Sequence, residues 1–175
     1  MTYITKSDIN QFGSYTDRKD HFDDDREVEV MINFLTEVYE NDPSVRIKSK
    51  PLGTYDVDLG VYWKDKLVVG VDVERWSAWT NDWPSFYSHV SFLGRKEKFI
   101  RNGMDFIMAY FNYDLSKVIL LDKQAILKYP TIDRHTKGKV DRIKKISFDD
   151  AKLYGSNLTD REKSLFKKHR ECILK

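Results

Sequence analysis

The 175-residue chain has a single cysteine, Cys172, which excludes an internal disulfide framework and any cysteine-based zinc cluster. No apolar run is long enough for a signal peptide or a membrane span, so an intracellular protein without a membrane partner is expected. An excess of one charge is also missing. Thirty Lys and Arg against 28 Asp and Glu leave a formal charge of +2, so only the distribution of charge can argue for or against nucleic acid. There is no glycine-rich phosphate loop, nucleophile elbow, internal repeat or low-complexity tract. Asp56 to Gly60 lacks the third acid and the downstream Glu of a calcium-binding EF-hand loop. The length suits one domain, residues 1–175, with a sizeable core.

What is present centres on Tyr55 to Trp76. Two arms alternate apolar and polar residues around Lys64-Asp65-Lys66, the pattern of a β-hairpin. In the first arm Val57, Leu59 and Val61 share one face and Asp56, Asp58 and Gly60 the other; in the second, Val69, Val71 and Val73 oppose Val68, Gly70, Asp72 and Glu74. Carboxylates then project from the ends of two neighbouring strands. Crowded anions repel one another and lose hydration, and a divalent cation relieves both penalties.

Upstream, Val28, Met31, Leu35 and Val38 recur at helical spacing behind Asp23 to Asp25, which predicts a helix from Asp24 to Glu40. Glu27 lies on its inward face, in line with Met31 and Phe34. Val45 to Lys48 reads as a first strand. Downstream come an aromatic stretch with Trp76, Trp79 and Trp83, and a short helical segment carrying Arg95, Lys96, Lys98 and Arg101. Strands follow over Asp105 to Asn112 and Lys117 to Leu121, then a brief helix over Asp122 to Pro130 and a basic loop from Arg134 that contains Lys137 and Lys139. Ile143, Ile146 and Phe148 suggest a last strand. Thr159 and Glu162 form a capping box for a terminal helix.

Asp58, followed fourteen positions later by Asp72-Val73-Glu74 on a strand, resembles the PD-(D/E)xK nuclease superfamily, with Val57 in the place of the usual Pro and Glu74 in the place of the usual Lys. The succession of acidic strand, aromatic segment, Arg-Lys segment and strand ending in Asn is similar to that of phage-type members. The resemblance implies an α/β fold with a restriction-endonuclease-like core, a central mixed β-sheet flanked by the first and last α-helices. It implies a DNA endonuclease dependent on Mg2+ or Mn2+, with metal held by Asp58, Asp72, Glu74 and Glu27. Lys96 or Lys98, with Arg95, would replace the motif Lys. Trp79 and Trp83 either fill the core or, if exposed, would stack on bases, and Lys137 and Lys139 would contact phosphates. DNA is the implied partner, and a homodimer is left open. The rival reading is a non-catalytic nucleic-acid-binding or protein-interaction module on the same fold. Glycoside hydrolysis by paired carboxylates stands third, with no sugar-cleft signature.

Overall fold

The computed structural model describes residues 25–39, 42–84, 87–155 and 159–161. The N-terminal arm and, beyond Arg161, the terminal helix expected from the sequence lie outside them. Among the described residues no helix is long and apolar enough to cross a membrane.

The fold is α/β and built in layers around a mixed sheet. Helix α1 (Arg26–Val38) is followed by β1 (Val45–Ser49), β2 (Leu59–Trp63) and β3 (Lys66–Arg75). Then come β4 (Val90–Leu93), a 3-10 helix (Gly94–Phe99), β5 (Asp105–Phe111), β6 (Lys117–Asp122) and α2 (Lys123–Lys128). The chain continues through β7 (Ile132–Thr136), β8 (Lys139–Ile146), a 3-10 turn (Phe148–Asp150) and β9 (Lys152–Gly155). The main sheet runs β1-β2-β3-β5-β6-β9, and β3 and β5 are its parallel pair. A second, three-stranded sheet runs β4-β8-β7.

The alternation read from β3 separates two apolar cores. Val69, Val71 and Val73 pack with Ile107, Ala109 and Phe111 beneath Met31, Phe34, Leu35 and Val38 of α1. On the opposite face Phe106, Met108 and Tyr110 of β5 pack with Val90 and Phe92 of β4 and Ile146 of β8. That face is therefore covered by the second sheet, which the sequence did not reveal as a sheet. Arg134 to Lys139, expected as a loop, closes a tight hairpin in which Lys137 and Gly138 adopt φ of 39° and 78°, the geometry that joins β7 to β8. The strand β9, which pairs with β6, also went unpredicted, because Lys152 to Gly155 is too short to show alternation.

The hairpin of β2 and β3 turns through Lys64 and Asp65, both at positive φ (48° and 62°). Its first arm departs from the expected alternation: β2 starts at Leu59, and Val57 joins the second core instead of following Leu59 and Val61 into the first. Gly60 and Gly70 face each other across the ladder. A Cβ on Gly60 would lie 2.7 Å from both Leu67 Cδ1 and Pro51 Cγ. Gly60→Ala should therefore destabilise the protein by about 1–3 kcal/mol, as overpacking does. Urea unfolding checks this, and an unchanged midpoint would contradict it.

Candidate active site

The antiparallel register pairs Leu59 with Val71 and Gly60 with Gly70, so Asp58 stands opposite Asp72 where the β2–β3 ladder ends. Asp58 Oδ2 accepts a hydrogen bond from the Val73 amide at 2.9 Å, which carries the pairing one step further through a side chain and fixes the carboxylate. Asp72 lies between Gly70 and Glu74 on the face that points to the second sheet. Its parallel neighbour is Met108, and that of Glu74 is Tyr110. Those two side chains belong to the second core, and they remove water from the floor beneath Asp72, which is only 5% exposed. Tyr110 is itself fixed, its hydroxyl donating to the Ser91 carbonyl at 3.0 Å, and burial followed by the Glu74 and Asp72 charges raises its pKa well above the usual phenol value.

The cation comes from outside the hairpin. Lys96, in the 3-10 helix, donates through Nζ to Asp72 Oδ2 at 2.5 Å and forms an ion pair with Glu74 Oε1. Burial alone lowers an ammonium's pKa, but the Glu74 and Asp72 carboxylates outweigh it and hold the pKa of Lys96 above its ordinary value. Lys96 is thus a fixed positive charge at neutral pH and not a proton acceptor. Asp72 behaves oppositely: burial, then the Asp58 charge and a hydrogen bond to Asp58, overcome the effect of Lys96 and raise its pKa from 3.8 to about 6. Three carboxylates around one ammonium leave two negative charges uncompensated when all are ionised.

Neighbouring polar contacts hold Lys96 in place. Lys144 of β8, buried, donates to Glu97 Oε1 at 3.1 Å and to the Ile126 carbonyl at 3.0 Å, tying the 3-10 helix to β8 and α2. Arg101 pairs with Asp56, just ahead of Asp58. Lys123 Nζ donates to the Arg101 carbonyl at 2.9 Å. None of these links follows from the sequence, where Lys144 and Lys145 stand side by side between Ile143 and Ile146 and nothing marks which one is buried.

Of the residues singled out in the sequence, Asp58, Asp72, Glu74 and Lys96 are brought together. The others are placed elsewhere. Lys98 is exposed, with Nζ 5.2 Å from the Phe99 ring centroid, so of the two lysines only Lys96 reaches the carboxylates. Glu27 shares the inward face of α1 with Met31 and Phe34, as expected, but that face packs on the sheet side opposite Asp72 and Glu74. Among the described residues no three His, Cys, Asp or Glu side chains form a ready metal cage. Trp79, read from the sequence as either a core residue or an exposed base-stacking one, is 2% exposed in the second core, so the stacking role does not hold for it; its carbonyl accepts from the Tyr113 amide at 2.7 Å. Trp83 is half-buried, its Nε1 donating to the Tyr87 carbonyl at 2.8 Å and its ring packed against Trp76, Trp79 and Phe148. Large aromatic surface won burial over stacking on a partner. Lys137 and Lys139 sit exposed at the tip of the β7–β8 hairpin, and Arg95 is exposed one position before Lys96.

The raised pKa of Asp72 makes stability depend on pH. Between 3.8 and about 6 the folded chain binds more protons than the unfolded chain, so in metal-free buffer stability falls as pH rises through that window. Asp72→Asn should remove this slope and stabilise the protein by on the order of 1–3 kcal/mol near pH 7, with less gain near pH 4. Urea unfolding in EDTA at both pH values measures it; an equal effect at both would contradict the assignment. In the same assay Trp79→Ala should cost about 3–5 kcal/mol and Trp83→Ala less.

No family model matches the chain, and neither a curated protein nor a solved structure is significantly similar to it, so the site has to be read from its own chemistry.

Proposed function

We propose that this chain is a DNA endonuclease dependent on Mg2+ or Mn2+, built on a restriction-endonuclease-like core. The observation that carries the reading is the end of the β2–β3 ladder, where Asp58 and Asp72 stand opposite each other and Lys96 is held against Asp72 and Glu74. A helix, an antiparallel run β1-β2-β3 and a parallel β5 supply the order of elements that the resemblance implies.

The donor set fits a hard divalent cation. Asp58 and Asp72 offer carboxylate oxygens, and with Glu74 and Lys96 the local charge is negative by two when all three acids are ionised. Asp58 and Asp72 would hold the metal, with Glu74 joining directly or through water. The ion would supply a Lewis acid that lowers the pKa of a bound water and neutralises charge on the phosphate. The chain's own residues do the rest. Val73, through its amide, keeps the Asp58 carboxylate aimed. Lys96 carries a permanent positive charge to the place where the phosphate develops negative charge, and its fixed position lowers the cost of reorganisation. Glu74, in the place of the motif Lys, orients Lys96 and so links the hairpin to the lysine that replaces it.

The non-catalytic module remains as a second reading because one observation favours it. Lys96 already bridges Asp72 and Glu74, and an ammonium in that place satisfies two of the three carboxylates without any metal.

Incubation with plasmid, single-stranded and branched DNA in magnesium and in EDTA separates the two. Wild-type protein should cut at least one substrate in magnesium and none in EDTA. Asp58→Asn and Asp72→Asn should keep the fold, lose Mn2+ binding by calorimetry and lose cleavage, while DNA binding holds. Cleavage at the wild-type rate by both variants, or no cleavage by wild-type protein in any divalent metal, would overturn the nuclease reading. Lys96→Met should lower the cleavage rate by roughly 10²–10³-fold, the usual scale for removing one charge-stabilising donor. Lys98→Met should leave it unchanged, and equal effects of the two would contradict the placement of Lys96.

A further inference from the structure

We propose a second nucleic-acid contact: a clamp for backbone phosphates in the cleft between the 3-10 helix that carries Lys96 and the β7–β8 hairpin. The cleft has a volume of about 560 Å³, and Arg95, Arg134 and Arg142 line it together with Glu97 and Asp141. In sequence Arg95 lies about forty residues from Arg134, and only the packing of the 3-10 helix on β8 unites them. Gly94 makes that packing close: a Cβ there would stand 3.0 Å from the Arg142 carbonyl oxygen.

The charges in the cleft do not cancel. Glu97 is neutralised by Lys144 and Asp141 by Arg134, whose guanidinium donates to Asp141 Oδ2 at 3.2 Å. Arg142 has its nearest carboxylate, Asp133, 4.0 Å away, at the limit of an ion pair, and Arg95 has no ion pair among the described residues. Arg95 is thus left over, and Arg142 is held only at the limit of its pairing with Asp133. Arg134 Nε is also buried and without a hydrogen-bond partner. Guanidinium groups with unused donors around an open cleft match the oxygens of a phosphate diester, which accept forked hydrogen bonds.

The cleft is joined to the carboxylate site by one turn of helix. Arg95 and Glu97 flank Lys96 and face the cleft, while Lys96 reaches Asp72 and Glu74. A strand anchored by its phosphate between Arg95 and Arg142 is held beside the place where Lys96 acts. The exposed Lys137 and Lys139 prolong the same positive surface to the hairpin tip. Such a clamp fixes position along the backbone and reads no sequence. The inference takes its ligand from the nuclease reading, while its geometry stands apart from the carboxylates.

The test is binding of a fluorescent single-stranded or duplex oligonucleotide, followed by anisotropy in EDTA over a range of salt, with melting curves to verify folding. Arg95→Gln and Arg142→Gln should each weaken binding several-fold, alike for all sequences, and each should lower the slope of log affinity against log salt by about 1. Asp141→Asn, which removes a negative charge from the cleft, should tighten binding. The proposal is overturned if folded arginine variants bind with wild-type affinity and slope, or if wild-type protein does not bind either oligonucleotide. It is overturned as well if calorimetry shows inorganic phosphate filling the site as tightly as the oligonucleotide, which would mean a free anion and not a strand. Cleavage in magnesium is scored separately. Binding that depends on the arginines without cleavage keeps the clamp and ends the nuclease reading; cleavage with both variants at wild-type affinity does the reverse.

Discussion

The Lys96 ammonium, shared between the buried Asp72 carboxylate and Glu74, is the interaction on which this site depends. Asp72 sits on an apolar floor of Met108 and Tyr110, opposite the charge of Asp58, and an isolated anion there would take up a proton instead of staying ionised. One ammonium lowers that penalty without removing it, which is why the pKa of Asp72 still reaches about 6. The site is balanced between being a closed ion pair and an open acceptor of cations.

Positioning Lys96 involves most of the second layer. A 3-10 helix of six residues has too few internal hydrogen bonds to hold a buried charge by itself. The Lys144–Glu97 pair ties it to β8, Phe99 packs it into the second core, and the Arg101–Asp56 pair anchors the residues that follow it. The small sheet β4-β8-β7 therefore does two things at once: it completes the core over Phe106, Met108 and Tyr110, and it supplies the wall against which the lysine-bearing helix rests.

Much of the main sheet was legible in the sequence because its signals are periodic. Alternation in Lys66 to Arg75 gave the correct faces, and the spacing of Met31, Phe34, Leu35 and Val38 gave the helix that covers one of them. Asp58 and Asp72 were legible for the same reason, since a hairpin with that register sets them opposite each other. What stayed hidden depends on contacts between distant segments. Lys96 and Lys98 look alike in sequence, and only the packing of the 3-10 helix sends one to Asp72 and the other to solvent. Trp79 carried no mark of burial, because an aromatic-rich stretch suits a core or an exposed face equally well. The β7–β8 hairpin was obscured by its charges, which face solvent on a two-residue turn that reads as a loop when Lys and Gly dominate it.

The central claim is that the two uncompensated negative charges beside Lys96 select a divalent cation. Crystals grown or soaked in Mn2+ and examined by anomalous scattering test it most directly. The account predicts an anomalous peak in contact with both Asp58 and Asp72, with the Lys96 ammonium retained on Glu74. A well-ordered site with Lys96 still bridging Asp72 and Glu74 and no anomalous peak at saturating Mn2+ would contradict it.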